Sequence, residues 1–189
     1  MAIKICLFCG SRFGNENLWK IMANELGKKI GKKKFDVVYG GGEWGLMGAV
    51  AKAAEFSGSK VLGIITNELL EFDKNNQSFG ELIIVNSINE RKKQMINISD
   101  IFLVLPGGIG TLDELFEVWT TKQLGEHKKP IILLNYKNFF DNLIEFIDKN
   151  ISNGFLLEDH KKHLTVCSSV DEVLRKVSEY SYKKLKKTL

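Results

Sequence analysis

The stretch Ile101-Phe102-Leu103-Val104-Leu105-Pro106-Gly107-Gly108-Ile109-Gly110-Thr111-Leu112-Asp113-Glu114 holds a strand, a turn and the start of a helix. Its first five residues are apolar without alternation, which means a strand covered on both faces, as in a parallel sheet between two helix layers. Pro106 has no N–H to offer a ladder, and the glycines that follow permit a tight turn with a backbone open to close approach. From Thr111 the pattern changes to helical period, giving a helix over 111–124.

Outward from this unit the same grammar repeats. Short apolar runs predict strands at 3–9, 36–39, 61–65, 81–85, 101–105, 131–134 and 164–167, and the segments between them predict helices at about 15–31, 45–57, 88–99, 111–124, 137–150 and 169–186. The expected architecture is α/β, a single Rossmann-like domain over residues 1–189, with a doubly wound, mainly parallel sheet of about seven strands. A length of 189 residues, with 44% hydrophobic and 26% charged, suits one such domain. Ligands of such sheets bind beyond the carboxyl ends of the strands.

The formal net charge is a modest +4. Much of it lies in Lys32 to Lys34 and in a basic tail from about residue 181 that carries Lys183, Lys184, Lys186 and Lys187. These read as a solvated helix end and a frayed tail, because no aromatic residues interleave as stacking platforms for nucleic acid. No apolar stretch approaches the ~18 residues of a membrane span, and the first residues carry no cleavage pattern. The protein is expected to be cytoplasmic, with no nucleic-acid or membrane partner. Three cysteines argue for reduced thiols. Cys6 and Cys9 spell C-x-x-C within and at the end of a strand, where side chains three apart point to opposite faces, so core packing is expected rather than chelation. His160 and His163 lack an acidic or thiol partner set, and no metal is assigned.

Three strand-to-helix junctions are rich in glycine: Cys9-Gly10-Ser11, then Gly40-Gly41-Gly42-Glu43-Trp44-Gly45-Leu46-Met47-Gly48, then Pro106 to Thr111. Tight turns use glycine for their own geometry, but three at one sheet edge point to an anion held by backbone N–H groups and a helix dipole. No Gly-Lys-Ser/Thr follows either long loop, and neither gives a clean G-x-G-x-x-G, which argues against kinase, GTPase or dehydrogenase chemistry. On the helix after the third loop, Glu114, Glu117 and Thr120 share a face. Thr111-x-x-Glu114 also spells a capping box, in which Glu114 would bond back to the Thr111 backbone N–H, so Glu114 is open to a capping or a catalytic role. Arg91 falls on a stripe with Met95 and Ile98, from which Lys92 and Lys93 diverge. An arginine so placed either meets an anion or snorkels over the helix.

Taken together, Gly40-Gly41-Gly42-x-x-Gly45-Leu46-Met47-Gly48, Arg91-Lys92 and Pro106-Gly107-Gly108-x-Gly110-Thr111-x-x-Glu114 closely resemble the Lonely Guy family of cytokinin-activating nucleotide hydrolases, whose members have often been labelled lysine decarboxylases. The similarity runs from about Ile3 to beyond Ile131. It implies hydrolysis of the N-glycosidic bond of N6-substituted adenine riboside 5′-monophosphates, with AMP also cleaved by several bacterial members. It further implies that Arg91 and Glu114 are the catalytic pair and that Gly108, Ile109, Gly110 and Thr111, with Gly107, hold the 5′-phosphate. Gly10, Ser11, Gly41, Gly42 and Met47 line the same nucleotide site in this reading, and Lys92, Thr120 and, more weakly, Asp73 contact the substrate; from its place on the Glu114 face, Glu117 is expected either to shape the field at Glu114 or to bind ribose hydroxyls. A homodimer is implied, and no cofactor is required. Departures are Ile109 for a frequent tyrosine, Thr66 where Gly-x-Ile-Pro is usual, and Asp73 for a frequent glutamate. Two other readings keep the glycine loops: an AMP nucleosidase, and a non-catalytic carrier of a phosphorylated ligand resembling molybdenum-cofactor carrier proteins, which has no need of Glu114.

Overall fold

In the computed structural model, which describes residues 2–72 and 78–188, the chain alternates strands and helices from β1 (Lys4–Phe8) to α8 (Val170–Thr188). The other strands are β2 (Asp36–Tyr39), β3 (Val61–Thr66), β4 (Glu81–Val85), β5 (Ile101–Val104), β6 (Ile131–Leu134) and β7 (Leu164–Cys167). The helices between them are α1 (Asn17–Lys32), α2 (Gly45–Phe56), α3 (Asn67–Phe72), α4 (Ile88–Ile98), α5 (Ile109–Gln123), α6 (Asp141–Ser152) and α7 (Glu158–Lys161). All seven strands join one sheet in the order β4-β3-β2-β1-β5-β6-β7, and every pairing is parallel.

The period of two along each strand divides the core. Ile5, Leu7, Ile101 and Leu103 face one hydrophobic cluster, with Met22 of α1, Val50 of α2 and Val173 of α8. Cys6, Phe8, Phe102 and Val104 face the other, with Met95 of α4, Leu115 of α5 and Ile147 of α6. Cys6 and Cys9 therefore lie on opposite faces, both buried and free, as the spacing predicts. Burial of both faces is the reason the central strands read as unbroken apolar runs.

From β1 the chain winds outward to β4 and then returns to β5, which pairs with β1 on its other side. The order reverses between β1 and β5, so the loops leaving these two strands diverge to opposite faces and leave a crevice at the carboxyl edge. Gly10 N–H donates to Pro106 O at 3.0 Å, which fixes the floor of that crevice.

Some boundaries differ from those the sequence predicts. Helix α6 begins at Asp141 rather than 137, because Lys137 and Asn138 hold positive φ in a short 3₁₀ turn and Asn135 Oδ1 accepts from Phe140 N–H at 2.7 Å. The basic tail is not frayed: α8 runs to Thr188, and the Lys184 ammonium pairs with Asp100. No helix among the described residues is long and apolar enough to cross a membrane.

Helices α1 and α2 approach closely because α1 presents glycines to α2. A Cβ on Gly27 would stand 2.5 Å from Val50 O and 2.8 Å from Ala53 Cβ. Gly27→Ala is therefore expected to lower stability by roughly 1–3 kcal/mol through overpacking, the opposite sign to the usual gain when a helical glycine becomes alanine. Urea denaturation measures it, and a stabilised variant would show that the helices can part without cost.

Candidate active site

The crevice opens into a cleft of about 1030 Å³, lined by the loops after β1, β2 and β5 and by side chains from α1, α4 and α5. A second depression of about 760 Å³ lies between α1 and α8, away from the strand ends. Within it Lys29 pairs with Asp171 at 2.6 Å, and Arg175 with Glu179 at 3.0 Å. The first cleft, by contrast, exposes backbone and chemistry that the protein does not use internally.

One wall is the start of α5. The helix begins two residues earlier than the sequence suggests, with Gly108 as its extended N-cap and no side chain capping it. Thr111 is thus the third helical residue, and Glu114 lies too far along to bond back to it in a capping box. No acidic residue occupies the first turn, and a Cβ built on Gly108 or Gly110 would meet nothing within 4 Å. Those glycines face open space, and the uncapped N–H groups of the first turn are available to an anion. Gly107 is required for a different reason: a Cβ there would lie 2.1 Å from Thr111 Oγ1 and 2.7 Å from Gly10 N.

Arg91, near the start of α4, is held by backbone acceptors at the ends of two strands. Its Nε donates to Ile64 O at 2.9 Å and its Nη2 to Gly40 O at 3.3 Å. Gly40 has to be glycine, since a Cβ would stand 1.8 Å from Arg91 Nη2. Nη1 then faces Glu114 Oε1 at 3.8 Å, an ion-pair distance, and the two side chains are only 12% and 13% exposed. Burial pushes the Glu114 carboxyl up from the usual carboxylate range to about 7, with neighbouring Asp113 and Glu117 adding to the rise and Arg91 and Lys92 opposing it. Cys9 also lines the cleft, but burial above all, with the Glu114 charge, holds its thiol well up and protonated, so it is no nucleophile.

Of the residues expected at the site, Gly10, Ser11, Gly42, Met47, Arg91, Gly107, Gly108, Ile109, Gly110, Thr111 and Glu114 all line this cleft. Gly41 does not: it is buried with φ +77°, and a Cβ there would lie 2.8 Å from Ile65 Cβ, so it turns the loop. Lys92, Glu117 and Thr120 also stand outside the lining. Lys92 Nζ lies 2.9 Å from Asp113 Oδ2 and 3.0 Å from Glu117 Oε2, a clamp between α4 and α5 that aligns the helices carrying Arg91 and Glu114. Burial alone would lower the Lys92 pKa, but contact with these two carboxylates outweighs it and the net shift is upward. Thr120 is exposed, and Asp73 lies outside the described residues.

Sequence reasoning missed Arg12, Phe13, Trp19, Trp44, Leu69 and Phe139, all of which line the cleft. Trp19 of α1 meets Phe139, after β6, edge-on at 5.5 Å between centroids, a contact across 120 residues of chain that no local pattern announces. Arg12 and Phe13 follow directly on the first glycine turn, and their position was the available signal.

Gly40→Ala is expected to fold, because the added methyl meets the end of a flexible side chain, but to displace the Arg91 guanidinium. Carbon-13 NMR of the Glu114 carboxyl should then show titration near 7 in the parent protein and higher in the variant. An unchanged midpoint would mean that Arg91 does not stabilise the carboxylate.

The chain is similar to several known proteins. The family model described as "possible lysine decarboxylase" matches residues 47–177. The cytokinin riboside 5′-monophosphate phosphoribohydrolase LOG of Oryza sativa subsp. japonica is 41% identical over 94% of this chain and 73% of its own length. A relative from Arabidopsis thaliana with the same enzyme name is 40% identical over 94% of this chain and 83% of its own. Among solved structures, the Moco carrier protein of Chlamydomonas reinhardtii shares the fold, with a TM-score of 0.71 at 19% identity over 97% of this chain and 99% of that one. The molybdenum cofactor binding protein of Rippkaea orientalis matches with a TM-score of 0.69 at 21% identity, over 95% and 97% of the two chains.

Proposed function

This chain belongs to the Lonely Guy family of cytokinin riboside 5′-monophosphate phosphoribohydrolases, and from that premise we propose that it hydrolyses the N-glycosidic bond of purine nucleoside 5′-monophosphates. The substrates are those with N6-substituted adenine, and the products are the free base and ribose 5-phosphate. The observation that carries this reading is the buried Arg91–Glu114 pair opening on the same cleft as the uncapped start of α5.

Breaking a ribosyl C–N bond builds positive charge on the ribose ring. A carboxylate beside the anomeric carbon stabilises that charge and accepts a proton from the attacking water, while the departing purine nitrogen takes up a proton. Glu114 fills this role in its ionised form. Arg91 favours that form and is itself fixed by Ile64 O and Gly40 O, so little reorganisation accompanies the reaction. The 5′-phosphate seated at Gly108 to Thr111 anchors the ribose, and binding energy at this remote group orients the reacting centre. Lys92 and Glu117 serve the site by position, through the α4–α5 clamp. The apolar side chains Phe13, Trp19, Leu46, Met47, Ile65, Leu69 and Phe139 supply the wall that a base with an apolar N6 substituent would cover.

A pyridoxal-phosphate decarboxylase holds its cofactor as a Schiff base on a lysine, and among the described residues no lysine lines this cleft. A carrier of a phosphorylated ligand has no use for a carboxylate facing the seat, which favours the hydrolase over it. We further take the protein to be one nucleotide-binding domain, working as a cytoplasmic homodimer. Exposed Ile88 on α4, with Phe116 on α5 and Leu124 just after it, supports the dimer, which light scattering tests.

Incubation with N6-isopentenyladenosine monophosphate, AMP and GMP, followed by chromatography of the base, should show release that is fastest from the N6-substituted nucleotide. No base from any purine monophosphate would remove the hydrolase reading, and bound nucleotide or pterin surviving intact would favour the carrier. Glu114→Gln is expected to bind nucleotide but to lose roughly 10²–10⁴-fold in turnover; full activity there would free Glu114 of any catalytic part.

The acidic limb of kcat/KM reports the free enzyme. With the acid form of Glu114 inactive and its pKa raised to about 7, kcat/KM should rise as pH increases through about 7 and then level. Activity that instead falls through this range would make Glu114 a proton donor to the leaving base.

A further inference from the structure

We infer that Arg12 is a clamp on the substrate's 5′-phosphate, a binding role that rests on the hydrolase reading of the cleft. A nucleotide 5′-phosphate carries nearly two negative charges at neutral pH, whereas a helix N-terminus offers about half a positive one. Charge balance in the seat therefore calls for a cation.

Among the described residues three charged side chains line the cleft: Arg12, Arg91 and Glu114. Arg91 is committed, with its guanidinium shared among Ile64 O, Gly40 O and Glu114. The exposed guanidinium of Arg12 makes no hydrogen bond or ion pair with any described residue, so it keeps its full set of donors for a ligand.

Its backbone, by contrast, is held on both sides. Gly10 N–H donates to Pro106 O at 3.0 Å, and Gly10 O accepts from Leu46 and Met47 N–H at 3.1 and 3.3 Å. A Cβ on Gly45 would lie 2.3 Å from Ser11 C and 2.4 Å from Arg12 N, so the Ser11-Arg12 peptide rests directly on the first turn of α2. A Cβ on Gly10 would lie 3.3 Å from Gly107 Cα, so the same loop abuts the turn that leads into α5. Arg12 thus springs from a fixed base between the N-termini of α2 and α5, neither of which carries an acidic residue in its first turn. An arginine with a rigid root and a free planar fork suits bidentate capture of phosphate oxygens across the cleft mouth. Closing on phosphate, it also shields the anchor from water without touching the bond that breaks.

Calorimetric titration with ribose 5-phosphate and, separately, with adenine tests this on the wild-type protein and on Arg12→Ala and Arg12→Lys. Loss of a charge-assisted bidentate contact should weaken ribose 5-phosphate roughly tenfold or more in Arg12→Ala. Lysine should restore part of the loss as a point charge, and adenine binding should not change. In turnover, KM for the monophosphate should rise by the same factor with kcat within about twofold, while kcat/KM for the unphosphorylated nucleoside stays at the wild-type value. Unchanged ribose 5-phosphate affinity in Arg12→Ala, an equal loss of adenine affinity, or no binding of ribose 5-phosphate to the wild type would each overturn the proposal. The two readings fail separately: a wild type that releases no base but whose ribose 5-phosphate binding still depends on Arg12 counts against hydrolysis alone. Base release with binding indifferent to Arg12 counts against the clamp alone.

Discussion

A nearly buried carboxylate facing a nearly buried guanidinium is the constraint around which this cleft is organised. Water can no longer solvate Glu114, so its charge depends on what the fold puts beside it. That neighbour, Arg91, is itself costly to bury, and it is retained only because strand-end carbonyls at Ile64 and Gly40 take up its donors. Removing any of these leaves an uncompensated group in a low-dielectric wall, so the pair and its supports form one unit. The Lys92 clamp belongs to it, since two further carboxylates on α5 would otherwise press the Glu114 proton on more firmly.

The doubly wound sheet supplies the place for such a unit. Strands buried on both faces leave no room for polar chemistry along their length, so function collects where they end. Reversal of strand order between β1 and β5 opens the crevice there, and helices α2 and α5 bring their N-termini to its two sides, that of α2 tied to Gly10 O and that of α5 without a side-chain cap. The glycines divide into two kinds with different physical reasons. Gly40, Gly45 and Gly107 are small because other atoms of the protein occupy the space, whereas Gly108 and Gly110 face open space that a ligand can enter. The Moco carrier protein and the molybdenum cofactor binding protein share this framework at 19% and 21% identity, which shows how general the scaffold is. What distinguishes chains built on it is the side-chain chemistry placed at the crevice.

Much of this was legible in the sequence because the signals were physical and local. Continuous apolar runs marked all seven described strands to within a residue or two, and the glycine-rich junctions marked the sheet edge that bears the cleft. Arg91 was separable from Lys92 by the stripe it shares with Met95, and the two do diverge, one into the cleft and one into the clamp. What escaped was tertiary or too short. Helices α3 and α7, of six and four residues, are too brief to show a period. Two left-handed residues, Lys137 and Asn138, delayed the start of α6, and residues of this type rarely advertise that conformation. The aromatic wall joins Trp19 to Phe139 only after folding. The resemblance of motifs carried Lys92 and Thr120 to the substrate, while the pairing of Lys92 with Asp113 and Glu117 depends on how two helices pack.

The central claim is that one cleft holds the phosphate at the start of α5 and sets the anomeric carbon against Glu114. A crystal structure of the Glu114→Gln protein with an intact purine nucleoside 5′-monophosphate tests this most directly. The account predicts phosphate oxygens at about 3 Å from the first-turn N–H groups of α5, with the anomeric carbon roughly 3–3.5 Å from the position of the reacting water held by the residue-114 side chain. A nucleotide seated elsewhere, or one whose ribose turns its anomeric carbon away from residue 114, would contradict it.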